Sequence, residues 1–177
     1  GRTHGALRSP TDRLPTFDVD APPDIEGLYG RFSALVLRRV RRFFGADDKP
    51  EDIVQEVFAA LARDPAGLRG ALRESSAVYR KTTLHCLARL RKNPGRKSLL
   101  ATVRGEGNWL EAVGGSDEPQ VRRLQRDWRA LSPELLEVAV YAEVDGMTVG
   151  QISELIGVER GRGLELLADL RKFAGAP

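Results

Sequence analysis

Apolar positions recur every three or four residues along most of this chain, and the places where that rhythm starts and stops mark out its elements. Between Ile25 and Phe44, the residues Ile25, Leu28, Tyr29, Phe32, Leu35, Val36, Phe43 and Phe44 fall on one side of a long helix. A second helix is expected over Glu51 to Leu61, EDIVQEVFAAL, where Ile53, Val54, Val57, Phe58 and Leu61 form the apolar stripe. Asp48 as cap and Pro50 in the first turn suit its start, and Pro65 forces its end. The opposite face carries Asp52, Gln55 and Glu56 at i, i+3 and i+4, a spacing that gathers the side chains into one acidic patch. A loop with Gly67 and Gly70 then leads to a third helix from about Ser75 or Ser76 to Lys92, closed by Asn93-Pro94-Gly95. Tyr79, Thr83, Cys86, Leu87 and Leu90 share its core face, whereas Leu84 lies off that stripe among cations.

The rhythm lapses twice. Gly1 to Asp24, with Pro10, Pro15, Pro22 and Pro23, reads as a flexible leader. Ser98 to Gln120 is rich in glycine and acid and reads as a linker, with Trp109-Leu110 as an apolar foothold against a neighbouring domain. From Val121 the pattern resumes. Val121, Leu124, Trp128 and Leu131 supply one face, and Ser132-Pro133 starts a helix through Leu135, Leu136, Val138, Ala139 and Val140 that Gly146 breaks. Thr148 and Gln151 spell a capping box before Ile152, Leu155 and Ile156. Gly157-Val158-Glu159 is a turn, and a last helix runs from about Arg160 to Phe173 on a core face of Leu166, Leu167 and Leu170. Short helix, glycine turn and longer helix have the grammar of a helix-turn-helix, which a bare helical hairpin can imitate. The expected fold is all-α: two small helical domains, residues 25–97 and 121–177, joined by a linker at 98–120 and preceded by the leader at 1–24.

Composition adds limits. The chain has 177 residues, 41% of them hydrophobic but only 6% aromatic, so leucine, valine and alanine must do most of the packing. A single cysteine, Cys86, excludes an internal disulfide, and its place on an apolar face makes it a small core residue. His4 and His85 are the only histidines and no metal-ligand spacing occurs, so neither metal nor cofactor is expected. No run approaches the roughly 18 apolar residues of a membrane span and no signal-peptide pattern opens the chain, which leads us to expect a cytoplasmic protein. Nothing points to an enzyme: there is no nucleophile–base pair, phosphate loop or metal cluster.

The net charge of +3 conceals an asymmetry. From Arg69 to Arg104 the sequence holds Arg69, Arg73, Arg80, Lys81, Arg89, Arg91, Lys92, Arg96, Lys97 and Arg104 against one acid, Glu74. Such a block in an otherwise balanced chain suits an anionic partner, nucleic acid first. His85, near the far side of that helix, suits a solvated or phosphate-facing role. Arg38, Arg39, Arg41 and Arg42 crowd the end of the first helix, and the helix dipole accounts for only some of them.

EDIVQEVFAAL, followed by AVYRKTTLHCLARLRK and then LSPELLEVAVYAEVDGMTVGQISELIGV, resembles the bacterial extracytoplasmic-function (group IV) sigma factors, in a divergent form. The likeness extends from Ile25 to about Phe173. It implies a region 2-like three-helix domain that binds RNA polymerase core and melts promoter DNA, and a region 4-like helix-turn-helix domain that reads the upstream element. By that resemblance Asp52, Gln55 and Glu56 bind the polymerase clamp, where carboxylates and an amide accept charge-assisted bonds from arginine. Arg80, Lys81, Arg89, Arg91, Lys92, Arg96 and Lys97 contact DNA from the first domain, and Thr148, Gln151, Arg160, Arg162 and Lys172 from the second. An anti-sigma or other regulatory protein is a further expected partner.

Departures cluster on the DNA-reading surfaces. The family usually has Trp, Asn and Asp where Ala77, Leu84 and Ala88 stand, and neither Leu84 nor Ala88 can supply the missing hydrogen bond. The outward positions of the last helix, Gly161, Glu165, Ala168, Asp169 and Lys172, include acids that repel phosphate. The alternative to a sigma factor is therefore a sigma-derived adaptor that holds polymerase or another protein without conventional promoter reading. A stand-alone helix-turn-helix repressor ranks third.

Overall fold

The stripe that starts at Ile25 organises the packing. In the computed structural model, which describes residues 21–44, 49–69, 73–92 and 128–174, it lies along α1 (Ile25–Phe44), with the bounds its periodicity predicts. Every regular element among the described residues is helical. None of these helices is long and apolar enough to cross a membrane. The leader up to residue 20, the linker at 98–120 with Trp109, the Val121 and Leu124 positions of the face that follows it, and the Asn93-Pro94-Gly95 stop lie outside the described residues.

α2 (Pro50–Arg63) runs antiparallel to α1, with Arg41 near Glu51 at one end and Tyr29 edge-on to Phe58 at the other. Its start differs from expectation. Lys49, in a left-handed conformation at φ 50°, is the residue before the helix and gives no side-chain cap, while Pro50 fills the first position. Asp48 lies outside the described residues. Pro65 ends the helix as expected, but Gly67 sits in a one-turn helix, α3 (Ala66–Arg69), rather than in a loop; Gly70 lies outside the described residues. α4 (Glu74–Arg91) crosses both long helices, starting a residue earlier than its serines suggested.

Val36, Val40 and Phe43 from α1, Ile53, Val57 and Leu61 from α2, and Val78, Cys86 and Leu90 from α4 are buried together. Each large side chain withdrawn from water in this way contributes about 1.5–3 kcal/mol. The same core continues into the C-terminal helices through Trp128, Leu131, Leu136, Val140, Val144 and Leu170. Helices on the two sides of the expected linker thus share apolar contacts. Val138, Tyr141, Ile152, Ile156 and Leu166 form a second cluster within the C-terminal group.

That group opens with a 3₁₀ turn at Trp128–Ala130. α5 (Pro133–Ala139) follows, capped by the Ser132 hydroxyl, which accepts from the Leu135 amide. The helix then widens into a π segment, Val140–Val144, whose end is marked by the Asp145 amide reaching back to the Val140 carbonyl. Gly146, at φ +64°, turns the chain towards α6 (Val149–Ile156). Thr148 and Gln151 cap α6 reciprocally, and Gly157 leaves it at φ +73° before α7 (Arg160–Ala174).

Gly163 marks the α6–α7 crossing. A methyl group there would run into the Ser153 hydroxyl and come within 3.2 Å of Val149 Cγ2. Ser153 cannot swing away without giving up its 2.7 Å hydrogen bond to the Val149 carbonyl. Gly163→Ala is expected to destabilise the protein by about 1–3 kcal/mol, the usual cost of overpacking. Chemical denaturation should also show Ser153→Ala recovering part of that loss in the double variant.

Candidate functional site

Burying Ile53, Val54, Val57, Phe58 and Leu61 turns the other side of α2 outward. Asp52, Gln55 and Glu56 are all exposed there, as the spacing predicts, on a helix whose opposite face is locked into the core. The trio is not uniform. Glu56 Oε2 lies 2.9 Å from His85 Nε2 and 3.1 Å from Arg89 Nη1, both on α4. His85, expected to be solvated or to face phosphate, is instead a partner of this carboxylate.

The hydrogen bond from His85 holds the Glu56 carboxyl below its ordinary value of 4.5; partial burial opposes the shift, and the charge of Arg89 adds to it. A carboxylate whose folded pKa is depressed stabilises the fold above its unfolded pKa and loses that contribution as pH falls through the folded value. The Glu56 cluster should therefore be intact above pH 4.5 and come apart below it. A carboxyl NMR titration checks this, with His85→Ala expected to move the Glu56 midpoint upward. Because the side chains are 46% exposed for Glu56 and Arg89, solvent screening keeps the stability effect small.

The cations assigned to phosphate fare differently. Arg80 has its guanidinium on Glu137, with Nε donating at 2.7 Å and Nη2 at 3.4 Å, and this carboxylate is 4% exposed. Hydrogen bonding to Glu137 raises the Arg80 pKa further, and Tyr141 donates to the same carboxylate at 3.1 Å. Its charge is thus paired within the protein, while its side chain stays 38% exposed. Lys81 lies 3.6 Å from Asp64, and Arg89 is held by Glu56. Arg91 donates to the Leu131 carbonyl at 2.6 Å, and Lys92 is exposed. Arg96 and Lys97 lie outside the described residues.

In the C-terminal group the Thr148 hydroxyl and Gln151 carboxamide are occupied by the capping box. Arg162 forms exposed pairs with Glu134 and Glu165, and hydrogen bonding to Glu165 raises its pKa. Arg160, Asp169 and Lys172 are exposed. Beside them Leu164 is a large apolar residue left 53% exposed.

Ala77 and Leu84 face the same place. A groove of about 590 Å³ runs between α4 and α6, lined by Leu61, Ala77, Lys81 and Leu84 on one side and by Leu155, Ile156 and Val158 on the other. Leu84 is half-buried there, which accounts for an apolar residue among cations, whereas Ala88 is exposed.

Sequence reasoning missed Arg39 and Asp145. Arg39 is buried at the centre of the molecule, donating to both carboxylate oxygens of Asp145 at 2.6 and 2.7 Å and to the Thr83 hydroxyl at 3.2 Å. Its guanidinium lies 4.4 Å from the Tyr79 ring centre and 5.0 Å from that of Phe43. A signal was present: Val36, Arg39, Val40 and Phe43 fall at i, i+3, i+4 and i+7, so the arginine interrupts the core stripe itself. Glu137, between Leu136 and Val138, breaks an apolar run in the same way.

Cys86 is buried as expected, and desolvation pushes its thiol up to about 12. Among the described residues no group of His, Cys, Asp and Glu side chains could hold a metal ion. No protein-family model matches the chain, and no curated protein matches it either.

Proposed function

We propose that this is a sigma-factor-like transcription initiation protein, in which α1, α2 and α4 act as a region 2-like unit and α5 to α7 as a region 4-like unit. The observation that carries the reading is the exposed Asp52–Gln55–Glu56 face on a helix anchored by its opposite side. Such a face is preorganised to accept bonds from arginines of RNA polymerase core without ordering a loop first. Promoter DNA would meet the cations that stay outward, among them Lys92, Arg160 and Lys172. Its work is positioning and strand capture, with no chemical step of its own, in the cytoplasm where polymerase acts. The test is transcription from fork-junction templates with purified core, run beside a core-binding assay. Specific transcripts are the expected result.

One observation favours the adaptor as a second reading. Arg80 is committed to Glu137, and Ala77 and Leu84 line an apolar groove rather than presenting groups that read bases. An adaptor would bind core yet start no transcript, and Leu84→Asn would leave it unimpaired.

A further inference from the structure

We propose that the two helical groups are latched together by the ion pairs Arg39–Asp145 and Arg80–Glu137, and that this closed arrangement opens as a unit. The inference stands whether or not polymerase is the partner. Both pairs span the molecule, joining α1 and α4 to residues 57 or more positions later in the chain. Asp145 and Glu137 are 6% and 4% exposed, so each carboxylate draws most of its compensation from its arginine, with Arg42 and Tyr141 as the lesser partners. A buried pair of this kind adds less net stability than an apolar contact of the same size, yet it fixes one geometry. Those are the properties of a catch rather than of a weld.

The contact between α4 and α6 is incompletely filled. A solvent-open groove of about 590 Å³ runs between them, so the two helices meet over only part of their facing surfaces. The C-terminal group also has its own apolar cluster around Ile152, Ile156 and Leu166, which stays together if the group moves, while Tyr141 gives up its stacking on Tyr79 of α4. Opening uncovers Trp128, Leu131, Leu136 and Val140. With that apolar strip exposed, the open form is a minor species until a partner covers the strip. A latched protein of this kind keeps the apolar strip covered and the Arg80 guanidinium tied to Glu137 until it is engaged.

The test is the distance between spin labels at Arg63→Cys and Glu159→Cys, exposed residues next in sequence to the groove residues Asp64 and Val158. Cys86 can remain in place, because burial keeps its thiol protonated and unreactive. The full chain should give one narrow distance. Neutralising the catch with Arg80→Gln, Glu137→Gln and Asp145→Asn leaves Arg39 charged without the Asp145 carboxylate, and opening rehydrates it. The distance should then broaden and lengthen by more than about 5 Å, the scale of one packed element shifting past another. Should the triple variant fail to fold, as judged by amide exchange at Ile53 and Val57, the milder Arg80→Gln/Glu137→Gln variant should shift in the same direction. A folded variant that keeps the narrow, unshifted distance overturns the latch. An opened variant that still binds neither core nor DNA supports the latch and removes the function proposed above, so the two failures are separable.

Discussion

Replacing Arg39 by alanine is expected to weaken the closed arrangement by about 3 kcal/mol. Breaking a buried ion pair from one side usually costs about 3–5 kcal/mol, because the remaining charge stays in a medium that solvates it poorly. The lower end applies here. Arg42 Nη1 lies 3.8 Å from the same carboxylate and retains part of the compensation for Asp145. Arg39→Ala also removes contacts with the Phe43 and Tyr79 rings, and it vacates space that neighbouring side chains only partly refill. Trp128, buried in the shared core, reports the transition by fluorescence during urea unfolding in a Trp109→Phe background. The companion experiment separates charge from volume. Arg39→Met with Asp145→Asn removes the unpaired ion while filling most of the space, so it should recover at least half of the loss. If Arg39→Ala alone proves neutral, the pair is hydrated in solution and holds nothing together.

Reversing the charge of Asp52 and Glu56 to lysine is expected to weaken polymerase core binding by at least about a hundredfold while leaving the fold intact. Two factors set that magnitude. Losing a charge partner across a desolvated interface costs about 2–5 kcal/mol, and every 1.4 kcal/mol is a factor of ten. Reversal adds repulsion to loss. The fold should survive, because both side chains are exposed and neither touches the core. Glu56→Lys does place a cation beside Arg89 and His85, so a small fall in stability accompanies it. Circular dichroism shows whether helix content is kept, and a fluorescence-polarisation titration with core measures affinity. Undiminished binding would move the interface off α2 and remove the main support for the sigma-like reading.

Local pattern was enough for the elements. Periodicity alone placed α1 and α2 and most of their inner faces, because burying a stripe is the main reason a helix persists in water. In α1, however, it put Tyr29, 45% exposed, on the inner side and left out the buried Arg39 and Val40. The capping box at Thr148, the Ser132-Pro133 start and the left-handed Gly157 were legible for the same reason: each satisfies backbone groups within a few residues. The lack of a cap before α2 was not, since Lys49 adopts a left-handed conformation that its side chain does not advertise.

What the candidate site does with its charges was decided elsewhere. The i, i+3, i+4 spacing put Asp52, Gln55 and Glu56 outside, but only the approach of α4 gave Glu56 to His85 and Arg89. Arg80 read as one cation in a basic run, and the docking of α5 turned it into the partner of a buried glutamate. Arg39 and Asp145 stand 106 residues apart, and no local rule relates them. Sequence by itself determines which side of a helix must leave water, because that depends on neighbours one turn away. Which opposite charge each arginine meets depends on how whole helices cross, and that is set by the packing of cores assembled from distant parts of the chain.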